Sequence, residues 1–546
     1  MKAPELRRQK LRRLAEERFD LLVIGGGING AGIAREAALR GLKTALVEKG
    51  DFANGTSSKS SKLIHGGFRY LETGDFRLVL EASQERDLLR RRLAPHLVRP
   101  LRFFFPVYEN GPVSLWKLRA GLLAYDLLAA FRNIERHRIV GRRRTAEVEP
   151  RLRSDGLRGG ALYFDCFTDD SRLVLENILS AEEAGAVCVN YLGVEEIEKS
   201  DGRVAGAIVR DLDAEGGSIH VSALAVVNAT GPWLDRIRAL DDPLAPAVLR
   251  PTKGVHVVLA RDRVGNRQAV VLRAVRDQRV LFVIPWEEHT IVGTTDTDYA
   301  GSPESVAAED EDVAYLLETV NFYFPEARLR ATDVISTFAG LRPLIADSEG
   351  NEPSDVSREE EIFESASGLI SLGGGKLTTY RRIAIKVVNR VADDLLQRTG
   401  ARFQRSSGSG SRPLPGGGQA PRASETTLPR EVVAAIGQKY GSRSSQVLEL
   451  IAGSPDLSER LVPEAPEVRG EAAFAADAEM ALRVEDVLRR RTKIAHRTAD
   501  EGASAAETTA AIMARPLGWD RTTEERRARE YLEEIGETRP RSMRQA

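Results

Sequence analysis

Residues 19–50 read FDLLVIGGGINGAGIAREAALRGLKTALVEKG, and this stretch decides the fold. Phe19–Ile24 is a short apolar run of buried-strand type, broken at once by three glycines. From Ile28 the apolar and small residues Ile28, Ala31, Ile33, Ala34, Ala37 and Ala38 recur at helical spacing until Gly41, a natural stop. Thr44–Glu48 is a second strand. Strand, turn, helix and strand in about 30 residues make a βαβ unit.

The turn is Gly25-x-Gly27-x-x-Gly30, placed where a dinucleotide fingerprint must lie. The first glycine allows the tight turn, the second lets backbone approach a pyrophosphate, and the third lets helix and strand pack closely. Asn29 lies in the first helical turn, whose N–H groups and dipole favour phosphate. Glu48 ends the second strand, where a carboxylate accepts bonds from ribose hydroxyls and disfavours a 2′-phosphate. The alternative is a glycine turn with a structural role only. Enzymes that pass electrons between a nicotinamide and a flavin normally show two such units, and the chain shows one. Further glycine-rich turns follow strands at Asn228-Ala-Thr-Gly231 and Leu372–Gly375, bringing Thr230, Gly231 and Gly374 within reach of a long cofactor. That favours bound FAD over a diffusing NAD.

The rest of the chain is ordinary globular sequence. It has 546 residues, 42% hydrophobic and 29% charged, so disorder is excluded. Lys and Arg (79) nearly cancel Asp and Glu (80), which argues against a nucleic-acid partner. The two cysteines, Cys166 and Cys188, form no CxxC pair and are expected in the core, without a disulfide framework, iron–sulfur cluster or zinc site. No metal site is expected. The N-terminus lacks the apolar segment of a secretory signal, and no run approaches the length of a spanning helix.

Helical and strand-rich blocks alternate after the βαβ unit, as in two domains that the chain crosses more than once. Arg405–Thr427, rich in Gly, Pro and Ser, reads as a flexible linker or exposed loop. Beyond it, an Ala-, Glu-, Arg- and Leu-rich region suits a small helical domain. The expected boundaries are a charged extension over 1–18, an oxidoreductase region over 19–400, a linker over 401–427 and a helical domain over 428–546. Within the second of these, cofactor-binding parts span approximately 19–100, 160–240 and 335–400, and substrate-cap parts 101–159 and 241–334.

GGGINGAGIAREAALRGL and TSSKSSKLIHGGFRYLE (Thr56–Glu72) together resemble the FAD-dependent glycerol-3-phosphate dehydrogenases. So do YFDCFTDDSRLVLEN (Tyr163–Asn177), NATGPW (Asn228–Trp233), TKGVHVV (Thr252–Val258), FVIPWEEHTIVGTTD (Phe282–Asp296), GLRPL (Gly340–Leu344) and GGGKLTTYR (Gly373–Arg381). The matches run in order from about 19 to 400, with a weaker echo in KYGSRSSQVLEL and LRRRTK. The resemblance implies an α/β and α+β fold: a Rossmann-type FAD-binding domain interleaved with a β-sheet substrate cap, plus a helical C-terminal domain. It also implies oxidation of sn-glycerol 3-phosphate to dihydroxyacetone phosphate, with electrons continuing to a membrane quinone.

Two tasks then need side chains. For the phosphate, arginine's planar fork and lysine's point charge are suited. Arg69, Arg342 and Lys376 sit beside glycines or in turns of the matched segments, with Tyr70 as a neutral donor and Arg358 as a fourth cation. For the C2 hydroxyl proton, histidine is the default base. His256 lies on a strand whose Val255, Val257 and Leu259 share one face, so His256 points to the other. Lys376 is the competing base, and His65 is expected to shape the flavin pocket. Thr56, Ser57, Ser58, Ser61 and Lys62 form a hydroxyl-rich loop suited to pyrophosphate and flavin contacts.

Ser114–Arg138 combines Leu115, Trp116, Leu118, Leu122 and Leu123 with Lys117, Arg119 and further arginines, the pattern of an interfacial amphipathic helix. The pattern equally suits a helix packed on the protein's own core; the resemblance, with its membrane quinone, implies instead a cytoplasmic protein held peripherally on the cytoplasmic face of the inner membrane, where the basic RRQKLRR near the N-terminus is expected to meet anionic lipid. A homodimer is a candidate assembly, which the sequence leaves open. Competing functions are an oxygen-using glycerol-3-phosphate oxidase, an amine or amino-acid oxidase on the same fold, and a non-catalytic FAD-binding regulator. The oxidase branch carries a cap insertion not evident here, and several phosphate-suited cations exceed what one carboxylate needs.

Overall fold

The structure is a computed structural model describing residues 3–67, 75–109, 111–128, 134–214, 216–346, 360–419 and 426–544. The chain opens with helix α1 (Ala3–Glu16), followed by β1 (Phe19–Ile24), α2 (Ile28–Leu39) and β2 (Thr44–Val47). β1 lies inside a mainly parallel sheet, between β2 and strand Ser218–Asn228, with Val187–Val189 and Ile370–Gly373 parallel beyond them. Buried on both faces, β1 is apolar nearly throughout, as such strands must be. Ile24 is opposite both Val47 and Asn228, so the chain leaves three strands side by side at one end.

α2 and helices Asp170–Glu183 and Tyr380–Thr399 cover one face of this sheet, sharing a core that contains Leu21, Val23, Ala37, Ile178 and Val387. The alanines of α2 permit the close approach. The opposite face packs Leu22 and Ile24 under an antiparallel meander, Leu192–Ser200, Arg203–Asp211 and Ser218–Asn228, and under Leu14 of α1. Burial of Leu14 stabilises the docking of α1 by roughly 1.5–3 kcal/mol. The positive charge of RRQKLRR, expected to meet anionic lipid, is largely engaged within the protein. Arg7 pairs with Asp211 at 2.8 Å, Lys10 with Glu182 and Arg13 with Glu17.

Among the described residues the second sheet has ten strands. Its longest pairing joins Leu249–Ala260 to Val334–Ile345 in antiparallel register, and Arg99–Tyr108 pairs with Leu157–Phe167. Val255, Val257 and Leu259 face helix Asp310–Tyr323, while Val258 and Phe338 share the other face with Leu118 and Leu122 of helix Leu115–Leu128. The helices after residue 428 enclose a core of their own, including Ile436, Tyr440, Phe474, Val487 and Met513. The fold class is therefore the expected one: a Rossmann-type domain, a β-sheet cap and a helical C-terminal domain. Both cysteines are free and buried, and burial pushes the Cys166 thiol up to about 12.

The linker reading of 401–427 is corrected over residues 401–419. Leu414 sits in the first core at 1% exposure, and its N–H bonds the Leu93 carbonyl at 2.8 Å. Ser407 Oγ donates to Glu36 at 2.7 Å, and Arg35 donates to the Arg412 carbonyl at 2.7 Å. Composition reports the lack of regular backbone bonding, whereas buried Arg35 and Glu36 on α2 supply partners that no local pattern reveals. Leu414→Ala is expected to destabilise the protein by about 2–5 kcal/mol, read as a lower denaturation midpoint; a free linker would leave the midpoint unchanged.

Candidate active site

The glycine turn is closed to side chains. Gly25 has φ +108°, and a methyl group added at Gly30 would lie 1.9 Å from the Gly25 carbonyl oxygen. Gly27 caps α2, and Ser57 Oγ accepts the Ile28 N–H at 3.0 Å. Asn29 Nδ2 donates to the Gly374 carbonyl at 3.3 Å, tying the GGGK turn to the start of α2. Its buried Oδ1 has no partner among the described residues, an acceptor left for a hydroxyl-bearing ligand. Glu48 accepts the Gly26 and Gly50 N–H groups at 2.6 and 2.8 Å, which hold the carboxylate still against a burial that raises its pKa. Thr230 is anchored on Asn228 Oδ1, and Gly231 borders open space. Glycine cradle, helix N-terminus, carboxylate and orphaned amide oxygen fit a dinucleotide laid across the strand ends.

The loop after this unit stitches the two sheets together. Thr56 Oγ1 donates to the Leu341 carbonyl at 2.5 Å, and Ser61 Oγ lies 2.8 Å from His256 Nε2. Ser58 Oγ turns back to the Gly55 carbonyl. Lys62, expected at the cofactor, has its ammonium on Asp170 at 2.8 Å in an ion pair that is almost wholly buried. The nearby Lys59 packs its Cβ over Gly340, where an added methyl would come within 2.8 Å.

His256 occupies the strand face opposite Val255 and Val257. Its ring stacks on Phe338 with centroids 4.6 Å apart, and a side chain at Gly293 would collide with it at 2.2 Å. Burial first, then the charges of Arg342 and Lys62, hold its pKa well below 6.5. The imidazole is therefore neutral near pH 7, with Nε2 at Ser61 and Nδ1 without a partner among the described residues. His256–Phe338, Gly254–Gly340 and Thr252–Arg342 are successive same-face pairs of the two strands. Arg342 folds back over Gly254, where an added methyl would lie 2.6 Å from Nη2. Its guanidinium is oriented by Asp296 at 2.9 Å, Thr294 at 3.0 Å and the Thr295 carbonyl at 3.1 Å.

Lys376 opens the short helical turn Leu377–Thr379 within the segment that Asn29 holds. The His65 N–H bonds Thr378 in that same segment. Arg69, Tyr70 and Arg358 lie outside the described residues. Sequence reading missed Phe338, whose role comes from non-local pairing, and the bond from Ser61 to the histidine. The small residues of GTTD (Gly293–Asp296) were the available signal for the pocket around His256 and Arg342.

His496 of the C-terminal domain, 5.3 Å from Phe338, is also held well below 6.5, by burial and then by Lys62. An unfolded chain protonates such rings near pH 6.5, while the folded chain refuses the proton. Their contribution to stability is complete above that pH and is lost as pH falls below it. The thermal midpoint is expected to fall from about pH 7 to about pH 5.5, with a smaller slope in His256→Asn. An equal slope in that variant would mean that folded His256 carries a proton.

Comparison with known proteins identifies the family. Residues 20–381 match the family described as FAD dependent oxidoreductase, and 407–524 match the C-terminal domain of alpha-glycerophosphate oxidase. A glycerol-3-phosphate dehydrogenase of Synechocystis is 37% identical, covering 94% of this chain and 96% of its own. An aerobic glycerol-3-phosphate dehydrogenase of Staphylococcus haemolyticus is 37% identical over 88% and 87% of the two chains. The crystal structure of the Bacillus halodurans glycerol-3-phosphate dehydrogenase complexed with FAD superposes with a TM-score of 0.80 at 32% identity, covering 98% of both. The chain thus belongs to the FAD-dependent glycerol-3-phosphate dehydrogenase family.

Proposed function

We propose that this protein oxidises sn-glycerol 3-phosphate at C2 to dihydroxyacetone phosphate and passes the electrons to a membrane quinone. The observation that carries the reading is a buried His256, fixed by Ser61 and Phe338, on the sheet face over which Arg342 folds back. Arg342 and Lys376 are assigned to the substrate phosphate, with Arg69 and Tyr70 as further donors. His256 accepts the C2 hydroxyl proton at a ring nitrogen, for which its low pKa keeps a lone pair available. FAD, when bound, supplies the two-electron acceptor for the hydrogen leaving C2. The glycine cradle, Asn29, Glu48, Thr230, Gly231 and Gly374 are the residues assigned to hold it, with Ser57 at the helix start.

Helix Leu115–Leu128 supports attachment to a membrane surface. Leu118, Leu122 and Tyr125 pack inward, while Trp116 is 76% exposed and Leu123 and Leu127 are half-exposed beside Lys117 and Arg119. The neighbouring helix Phe76–Leu88 exposes Phe76 and Leu80. An exposed apolar set flanked by cations suits an anionic bilayer interface. Among the described residues, no helix is long and apolar enough to cross a membrane.

Anaerobic titration with sn-glycerol 3-phosphate is expected to bleach the flavin promptly, with glycerol and amino acids inert. A yellow protein that never bleaches would refute the substrate. Slow recovery of colour in air and rapid recovery with a short-chain quinone are expected; rapid recovery in air would favour an oxidase. His256→Asn should lower the bleaching rate by about 10²–10⁴-fold. Arg342→Met should raise KM for sn-glycerol 3-phosphate roughly 10–100-fold, the range of a charge-assisted bond.

A further inference from the structure

Glu48 and Phe52 belong to a short loop, 48–54, that forms one wall beside the glycine turn. Phe52 presses on Gly26, where an added methyl would lie 2.7 Å from its ring, and the Ala53 N–H bonds the Gly26 carbonyl at 3.0 Å. At the loop's centre is Asp51, fully buried and directed away from the turn, into the C-terminal domain. Arg491 grips it with two bonds, at 2.7 and 3.0 Å, and Arg490 adds a third at 2.7 Å. Arg490 also donates to Asn54 at 3.2 Å, so both ends of this tight turn are held from the same side.

The arginines are themselves fixed. Arg490 reaches Asp486 at 2.6 Å and Glu485 at 2.8 Å, and Arg491 donates to the Glu479 carbonyl at 2.9 Å. Tyr191, whose N–H bonds the Gly50 carbonyl, donates its hydroxyl to Asp486 at 2.6 Å. Burial alone would raise the Asp51 carboxyl, but Arg491 and Arg490 outweigh it and keep it ionised. A planar fork on a buried carboxylate transmits orientation as well as attraction.

We propose that Arg490 and Arg491 are positioning residues for the cofactor: through Asp51 the C-terminal domain sets the loop that aims Glu48, and so completes the adenosine side of the FAD site. Neither arginine touches the cofactor. The inference rests on the assignment of Glu48 to the ribose, and the two fail separately.

The test dilutes full-length holoenzyme and follows FAD release by the rise of flavin fluorescence. Arg491→Gln is expected to release FAD faster by about tenfold or more, the scale on which supporting partners act. Arg491→Lys keeps the charge without the fork and should fall in between; it also serves if the glutamine variant does not accumulate. The control is Arg497→Gln, which breaks a different bridge from the C-terminal domain, to Glu287 at 2.6 Å, along with a pair inside that domain, to Glu467 at 2.5 Å. It should lower the thermal midpoint without accelerating release. With saturating FAD, Arg491→Gln should regain its KM for sn-glycerol 3-phosphate. Native release rates in both Arg491 variants would overturn the proposal. So would release that simply tracks lost stability in all three. Glu48→Gln is run alongside, and native release there would remove the ribose assignment instead.

Discussion

Everything at the site depends on the seam where the loop over residues 56–62 crosses from the parallel sheet to the cap. Among the bonds that hold it are Thr56 to the Leu341 carbonyl and Ser61 to His256. They tie the strand ends that carry the glycine cradle to the strand pair that carries the histidine and Arg342. Lys49, Trp233 and Arg236 also join the two parts through Glu304, but the seam is the join that reaches His256. Relative movement of the halves is the default for domains joined by small polar interfaces. Here Lys62 and Asp170 add a buried ion pair to the same loop, and the Lys59 stem packs directly on Gly340.

The seam also sets the electrostatics. Arg342 and Lys62 bring positive charge toward a ring already stripped of water, and both effects disfavour imidazolium. A base must be unprotonated before it acts, while the phosphate of the proposed substrate needs cations nearby. The arrangement meets both demands with the same residues. Asp296 and the Thr294 hydroxyl keep Arg342 oriented, so its fork is set before any anion arrives.

Local pattern made the nucleotide half legible. The βαβ unit, the three glycines and Glu48 are fixed by contacts within 30 residues, and period-two alternation placed His256 on the face away from Val255 and Val257. Non-local contacts were not legible. Phe338 reaches His256 only through a register that pairs residues 82 apart, and Arg342 bends toward it only because Gly254 leaves room. The 401–419 segment shows the same limit, since its partners Arg35 and Glu36 lie on a helix hundreds of residues earlier. The LRRRTK motif was read as a family echo, but nothing in its spacing says that two of its arginines meet Asp51.

The docking of the C-terminal domain follows the same physics. Arg172 meets Glu479 at 2.5 Å, Lys493 meets Asp169 at 2.7 Å, and Asp51 meets two arginines, all across one boundary and nearly all buried. Buried pairs add little net stability, because desolvation offsets most of their attraction. Their effect is asymmetric: a misdocked domain would leave single charges buried, each costing about 3–5 kcal/mol. Apolar contact tolerates sliding, whereas this set of pairs admits one orientation. A domain that holds a cofactor loop at second hand needs that property more than it needs binding strength. The near-cancellation of charge along the whole chain therefore conceals an interface where opposite charges are sorted residue by residue.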